Sequence, residues 1–279
     1  MINKKFYVNH NRIELIITYK CNLRCINCDA QVRQAPSNLH MSIDQIYKFI
    51  DESIKNEVCW EQIRILGGEP TLHPEIENIV EAIFDYKSKY SNRTIVTLVT
   101  NGYGEYVNKM IRKLSEKYNI VIENSKKKSN MQPNFSTINK APKDMKKYCN
   151  EDFSRGCWIP SVCGMALDIH GYYPCSAAAA ADRIFGDDIG RKKLPLLNDD
   201  FHDVLSIACG RCGHYYNNIN EIKDEKLLLP SNLQLLEKEI DNKQQSINLN
   251  PTYSPEAYSE TWAKAIKHWE NKEIRLTNY

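Results

Sequence analysis

Four short runs of apolar residues mark the first half of the chain. Residues 13–18 (IELIIT), 63–66 (IRIL), 94–99 (TIVTLV) and 119–123 (NIVIE) read as buried strands. Between them the apolar period lengthens to that of a helix. Ile43, Ile46, Phe49, Ile50 and Ile54 share one face of a helix over about 42–56, opened by a capping box of Ser42 and Gln45. Ile76, Ile79, Val80 and Ile83 carry the stripe of a second helix, with Pro74 suited to its first turn, and a third runs over about 104–118. This alternation predicts βαβ units and a parallel α/β sheet. Ligand sites in such sheets lie beyond the C-terminal ends of the strands, where the chain's polar motifs fall.

Beyond residue 123 the alternation fades. The stretch 125–147 holds seven lysines and one acid, Asp144. It reads as a solvated face or, failing that, as an attractor of an anionic substrate. A further strand is predicted at 135–139 (FSTIN). Residues 165–175 (MALDIHGYYPC) read as a hairpin turning at His170-Gly171, with Tyr172 and Tyr173 as packing residues. Ala177–Ala181 is expected to be a tight helix or loop. The tail from about 217 reads as polar and helical, with Ser254-Pro255-Glu256 as a start signal.

Composition adds limits. The chain has 279 residues, is 42% apolar and carries a net charge of +2. That is enough for a core, excludes disorder as the main state and gives no support to a nucleic-acid partner. No run reaches the length of a membrane span, and the N-terminus lacks the apolar region of a signal peptide, so a cytoplasmic location is expected.

The ten cysteines change the picture more. They are too sparse for a disulfide scaffold, and clustered thiols in a reducing compartment point to metal or catalysis. Cys21, Cys25 and Cys28 follow the first strand at spacings of four and three. Three thiolates on one loop suit an iron–sulfur cluster with one iron left open; the alternatives are a zinc site completed from elsewhere or three inert thiols. Cys157, Cys163, Cys175, Cys209 and Cys212 form a second set, the last two as a CxxC. Cys59 and Cys149 are expected to be ordinary buried thiols, and His214 a surface turn residue.

CNLRCINC (21–28), LGGEPTLHP (66–74) and LVTNG (98–102) together resemble the radical S-adenosylmethionine (SAM) superfamily over roughly residues 10–125. The resemblance implies a partial (β/α) barrel with parallel strands. It also implies a [4Fe–4S] cluster on Cys21, Cys25 and Cys28, with SAM chelating the open iron. One-electron cleavage of SAM would give a 5′-deoxyadenosyl radical that abstracts a substrate hydrogen, with the protein orienting the reactants and excluding water. Gly67 and Gly68 would let backbone approach the ligand, Glu69 would accept from the SAM ammonium, and Pro70 would stiffen the turn. Thr100, Asn101 and Gly102 would line the same rim. Glu123 and Ser125, at the end of the fourth strand, would contact ribose or carboxylate. Asn27 stands where relatives often carry an aromatic residue beside the adenine.

The second cysteine set is similar to the SPASM or Twitch auxiliary-cluster domains that follow many radical SAM cores. That similarity implies a second [4Fe–4S] cluster. Five cysteines compete for about four places, with Cys175, Cys209 and Cys212 ranked first, then Cys157, then Cys163. The expected organisation is a radical SAM core over 1–150, a small hairpin-containing auxiliary domain over 151–216 and a helical extension over 217–279. The implied activity is oxidation or cross-linking of a small molecule or peptide. An electron donor such as flavodoxin or ferredoxin would serve it. No leader-peptide recognition domain fits ahead of the first strand. The alternatives are a radical SAM epimerase or isomerase using a free cysteine, for which Cys163 or Cys149 would serve, a zinc-binding interaction module and a ferredoxin-like carrier.

Overall fold

A computed structural model describes residues 5–25, 28–32, 34, 37–127, 138–217 and 258–267. Three βα units open the fold: β1 (Arg12–Thr18) and α1 (Ile43–Lys55), β2 (Gln62–Gly67) and α2 (Ile76–Tyr90), β3 (Ile95–Thr100) and α3 (Glu105–Lys117). β4 (Val121–Asn124) follows. The Ser42–Gln45 capping box forms as the sequence predicts, with the Gln45 amide donating to the Ser42 hydroxyl at 3.2 Å. Then come α4 (Trp158–Cys163), β5 (Met165–Asp168), β6 (Gly171–Tyr173), α5 (Ser176–Phe185) and α6 (His202–Arg211).

The strands form one open sheet in the order β4-β3-β2-β1-β5-β6, parallel except for the β5–β6 hairpin. β5 pairs with β1, Leu15 opposite Leu167, so the hairpin expected within the second segment extends the first sheet. Its turn is Ile169-His170, where the Asp168 carboxylate accepts from the His170 amide at 2.7 Å. Tyr172 and Tyr173 pack as expected, both buried, with hydroxyls on Glu52 and Asp182. The alanine run is the buried body of α5. Of the strand expected at 135–139, residues 135–137 lie outside the described residues and Ile138-Asn139 form a turn. Ser254-Pro255-Glu256 also lies outside them; a helix spans 260–267, with Trp262 buried and its indole N–H donating to the Arg211 carbonyl at 2.7 Å.

The alternation of side chains along each strand divides the sheet into two unlike faces. Ile13, Leu15, Ile17, Ile63, Ile65, Val96 and Leu98 are buried in the main apolar core, each stabilising the fold by roughly 1.5–3 kcal/mol. The opposite face carries Glu14, Ile16, Arg64, Leu66, Thr97, Val99, Glu123 and Asp168. Most of these line a cavity that opens toward the C-terminal ends of the strands.

Candidate cofactor site and second cysteine group

The Gly67-Gly68 turn and the cysteine loop are built against each other. Beyond the β1–β2 pairing, the Gly68 amide donates to the Thr18 carbonyl and the Glu69 amide to the Lys20 carbonyl, both at 2.8 Å. A Cβ on Gly67 would lie 2.3 Å from the Thr18 carbonyl oxygen, and one on Gly68 would lie 2.4 Å from that of Lys20. The glycines are therefore required by the chain leading into Cys21.

Glu69 is tied into the protein itself. It is fully buried, and its carboxylate accepts from the Thr71 amide (3.2 Å) and hydroxyl (2.7 Å), the Thr100 hydroxyl (2.9 Å) and the Asn101 amide (2.8 Å). These bonds join the turn after β2 to the turn after β3, and the carboxylate is not among the cavity-lining groups. Asn101 carries the link onward: its side-chain N–H donates to Asn22 at 2.8 Å and to Cys21 Sγ at 3.8 Å. Pro70 is buried and starts a 3₁₀ turn, and a Cβ on Gly102 would strike the Asn124 side chain. Glu123 turns to Arg64, which bridges it to Glu14. Pro70, Gly102 and Glu123 thus shape the site without lining it.

The lining itself joins Cys21, Cys25 and Cys28 to Gly67, Gly68, Thr100, Asn101 and Ser125 around a cavity of about 310 Å³. That volume falls in the range of small-molecule pockets, about 300–1,000 Å³. Asn27 lies outside the described residues. Several donors address the sulfurs: the Leu23 amide to Cys21 at 3.4 Å, Asn101 to the same atom, Lys127 Nζ to Cys25 at 3.7 Å, and the amides of Val32 and Ala30 to Cys28. Burial pushes the Cys21 thiol up to about 11 and raises Cys28 as well, while the Lys127 charge lowers both. Cys25 is buried and Cys21 and Cys28 are half-buried; thiols so placed, with N–H donors aimed at sulfur, suit ligation as thiolates to a cationic centre. Among the described residues no three His, Cys, Asp or Glu side chains close on a single ion. A cluster, which spreads its irons over several sulfurs, does not require that they do.

Cys157, Cys175, Cys209 and Cys212 are all buried and near enough that their charges act on one another. Cys157 and Cys175 precede the first turns of α4 and α5, Cys209 lies in the last turn of α6 and Cys212 just past its end. Burial pushes Cys175 up to about 12, opposed by the amides of Ala177 and Ala178 at the start of α5. Cys163 stands nearer Glu14 and Arg64, and burial raises its thiol too. Cys59 and Cys149 are exposed, against expectation: each follows a chain turn at the surface. His214 is buried, also against expectation, with Nε2 3.5 Å from Asp29 of the cysteine loop.

A further group was not singled out from sequence. The Tyr19 hydroxyl donates to Asp168 at 2.7 Å, and the Arg183 guanidinium lies 4.1 Å over the Tyr19 ring while donating to the carbonyls of Ala30 and Gln31. Burial raises the Asp168 carboxyl and lowers Arg183. Together they tie β5 and α5 to the far side of the cysteine loop. The available signal was the charged residue inside each apolar run: Glu14 in IELIIT, Arg64 in IRIL and Asp168 in MALD.

Residues 15–124 match the Radical SAM superfamily. GTP 3′,8-cyclase of Aliarcobacter butzleri is 31% identical over 106 residues, covering 37% of this chain and 30% of that protein. Probable GTP 3′,8-cyclase of Methanococcus maripaludis is 38% identical over 88 residues, 32% of this chain and 27% of that protein. The chain thus spans about a third of the length of these relatives. The solved structure of BtrN in complex with AdoMet and 2-DOIA superposes with a TM-score of 0.41 at 12% identity, covering 81% of this chain and 96% of that one. The match takes in the cysteine loop and both glycine-containing turns. Proteins of that superfamily use SAM and a [4Fe–4S] cluster. No helix among the described residues is long and apolar enough to cross a membrane.

Proposed function

We propose that the protein is a radical SAM enzyme acting on a small molecule or a peptide residue. In this reading a second [4Fe–4S] cluster is held by Cys157, Cys175, Cys209 and Cys212. The observation that carries the first part is the shared cavity: Cys21, Cys25 and Cys28 face the same space as Gly67, Gly68, Thr100, Asn101 and Ser125. When bound, the cluster and SAM supply one-electron cleavage of the sulfonium C–S bond and hydrogen abstraction from the substrate. The chain's own residues do the rest. The Gly68 and Glu69 amides fix the approach to Cys21, Asn101 orients that loop, and the apolar side chains of Ile16, Leu66 and Val99 exclude water from the cavity.

Four buried thiols around the start of α5 support the second cluster. An electron acceptor there favours oxidation or cross-linking of the substrate over redox-neutral rearrangement. Flavodoxin or ferredoxin would deliver the reducing electron, in the cytoplasm. The test is anaerobic reconstitution with iron counted per chain, then deuterium transfer into 5′-deoxyadenosine from labelled substrates. About eight irons support two cubes, and about four remove the second.

A further inference from the structure

The lysine-rich stretch after β4 is not uniformly a solvated face. The Lys127 amide donates to the Asn101 carbonyl at 3.0 Å, which fixes the main chain independently of the side chain. The side chain then turns inward, lines the cavity and places Nζ 3.7 Å from Cys25 Sγ. Its charge also reaches Cys21 and Cys28. The neighbouring Lys126 is exposed. Arg64 is paired with Glu14 and Glu123; Arg183 packs on the Tyr19 ring and donates to two carbonyls, and its charge reaches Cys28 but no hydrogen bond from it to a loop sulfur is formed among the described residues.

We propose that Lys127 is a positioning residue that sets the reduction potential of the cluster on Cys21, Cys25 and Cys28, its ammonium favouring the one-electron-reduced state. This rests on the reading that those cysteines carry a cluster. Reduction adds one negative charge shared among the irons and sulfurs. An ammonium on a ligand sulfur stabilises that charge more than it stabilises the oxidised state, and hydrogen bonds to sulfur act in the same direction.

The test is an EPR-monitored redox titration of the anaerobically reconstituted protein, following the reduced-cluster signal that changes when SAM is added. Lys127→Met and Lys127→Gln are compared with Lys127→Arg, and Lys126→Met serves as control. The neutral variants are expected to lower the potential by about 60 mV, a tenfold loss in the one-electron reduction equilibrium, with iron content unchanged. Lys127→Arg is expected to recover most of the loss, and Lys126→Met to leave the potential in place. Neutral variants with full iron and an unmoved potential overturn the proposal, as does a loss of SAM affinity with no shift in potential. A SAM-sensitive signal that survives in Cys25→Ser overturns the cluster reading itself, and the proposal with it.

Discussion

Glu69 offers a direct choice between two roles for the acid after the glycine pair. If it is the buried strut seen here, replacing it costs stability whether or not any ligand is bound. In Glu69→Gln the remaining oxygen keeps the Thr71 donors, but an NH₂ now faces the Asn101 amide, which donates to the native carboxylate at 2.8 Å. One buried main-chain N–H is left unpaired, at a cost of about 1–3 kcal/mol. Glu69→Ala strands the Thr71 amide as well, so twice that range applies, about 2–6 kcal/mol. At roughly 2–4 °C per kcal/mol for a chain somewhat smaller than this one, Glu69→Gln lowers the melting temperature by several degrees and Glu69→Ala by about 10 °C. Urea denaturation of the metal-free protein, followed by circular dichroism, measures the loss without cofactor. The midpoint should fall in that order with the slope unchanged. Wild-type stability in the metal-free variants, with SAM binding alone weakened, would refute the strut and restore the carboxylate to the ligand.

Three further outcomes follow from the geometry. Serine at Cys157, Cys175, Cys209 or Cys212 is expected to reduce iron from about eight to about four per chain, whereas Cys163→Ser leaves it unchanged; iron and sulfide analysis checks this. Gly68→Ala drives a methyl into the Lys20 carbonyl and should impair iron loading at the first loop, read as loss of the SAM-sensitive EPR signal. The carboxyls of Asp199 and Asp203 are held below their ordinary values by hydrogen bonds from Arg191, Asp203 at about 2. Their contribution is present above the unfolded carboxylate value of about 3.9 and is lost as pH falls toward 2. Arg191→Met should therefore flatten the pH dependence of the unfolding midpoint between about 4 and 2 while lowering the midpoint slightly at neutral pH.

What the sequence conveyed and what it hid have separable causes. The three βα units were legible because their signals are local: apolar runs, helical stripes and the Ser42–Gln45 box. The place of the hairpin was not. Pairing of β5 with β1 joins residues some 150 positions apart, and nothing in MALD records its partner. The same holds for the site. CNLRCINC, GGEP and TNG marked the rim, but the sharing of Glu69 among Thr71, Thr100 and Asn101 depends on two turns meeting in space. Lys127 looked like one of seven lysines because its inward turn is set by the β4 exit and the Asn101 carbonyl. His214 looked like a turn residue because the burial around it comes from the packing of distant segments.

The central claim is that Cys21, Cys25 and Cys28 form a SAM-cleaving centre in the cavity behind the two turns. Reconstituted protein, reduced with dithionite under strict anaerobiosis and given SAM, should release 5′-deoxyadenosine, and Cys25→Ser should release none while keeping the iron held by the second cysteine group. Undiminished 5′-deoxyadenosine from Cys25→Ser would contradict it.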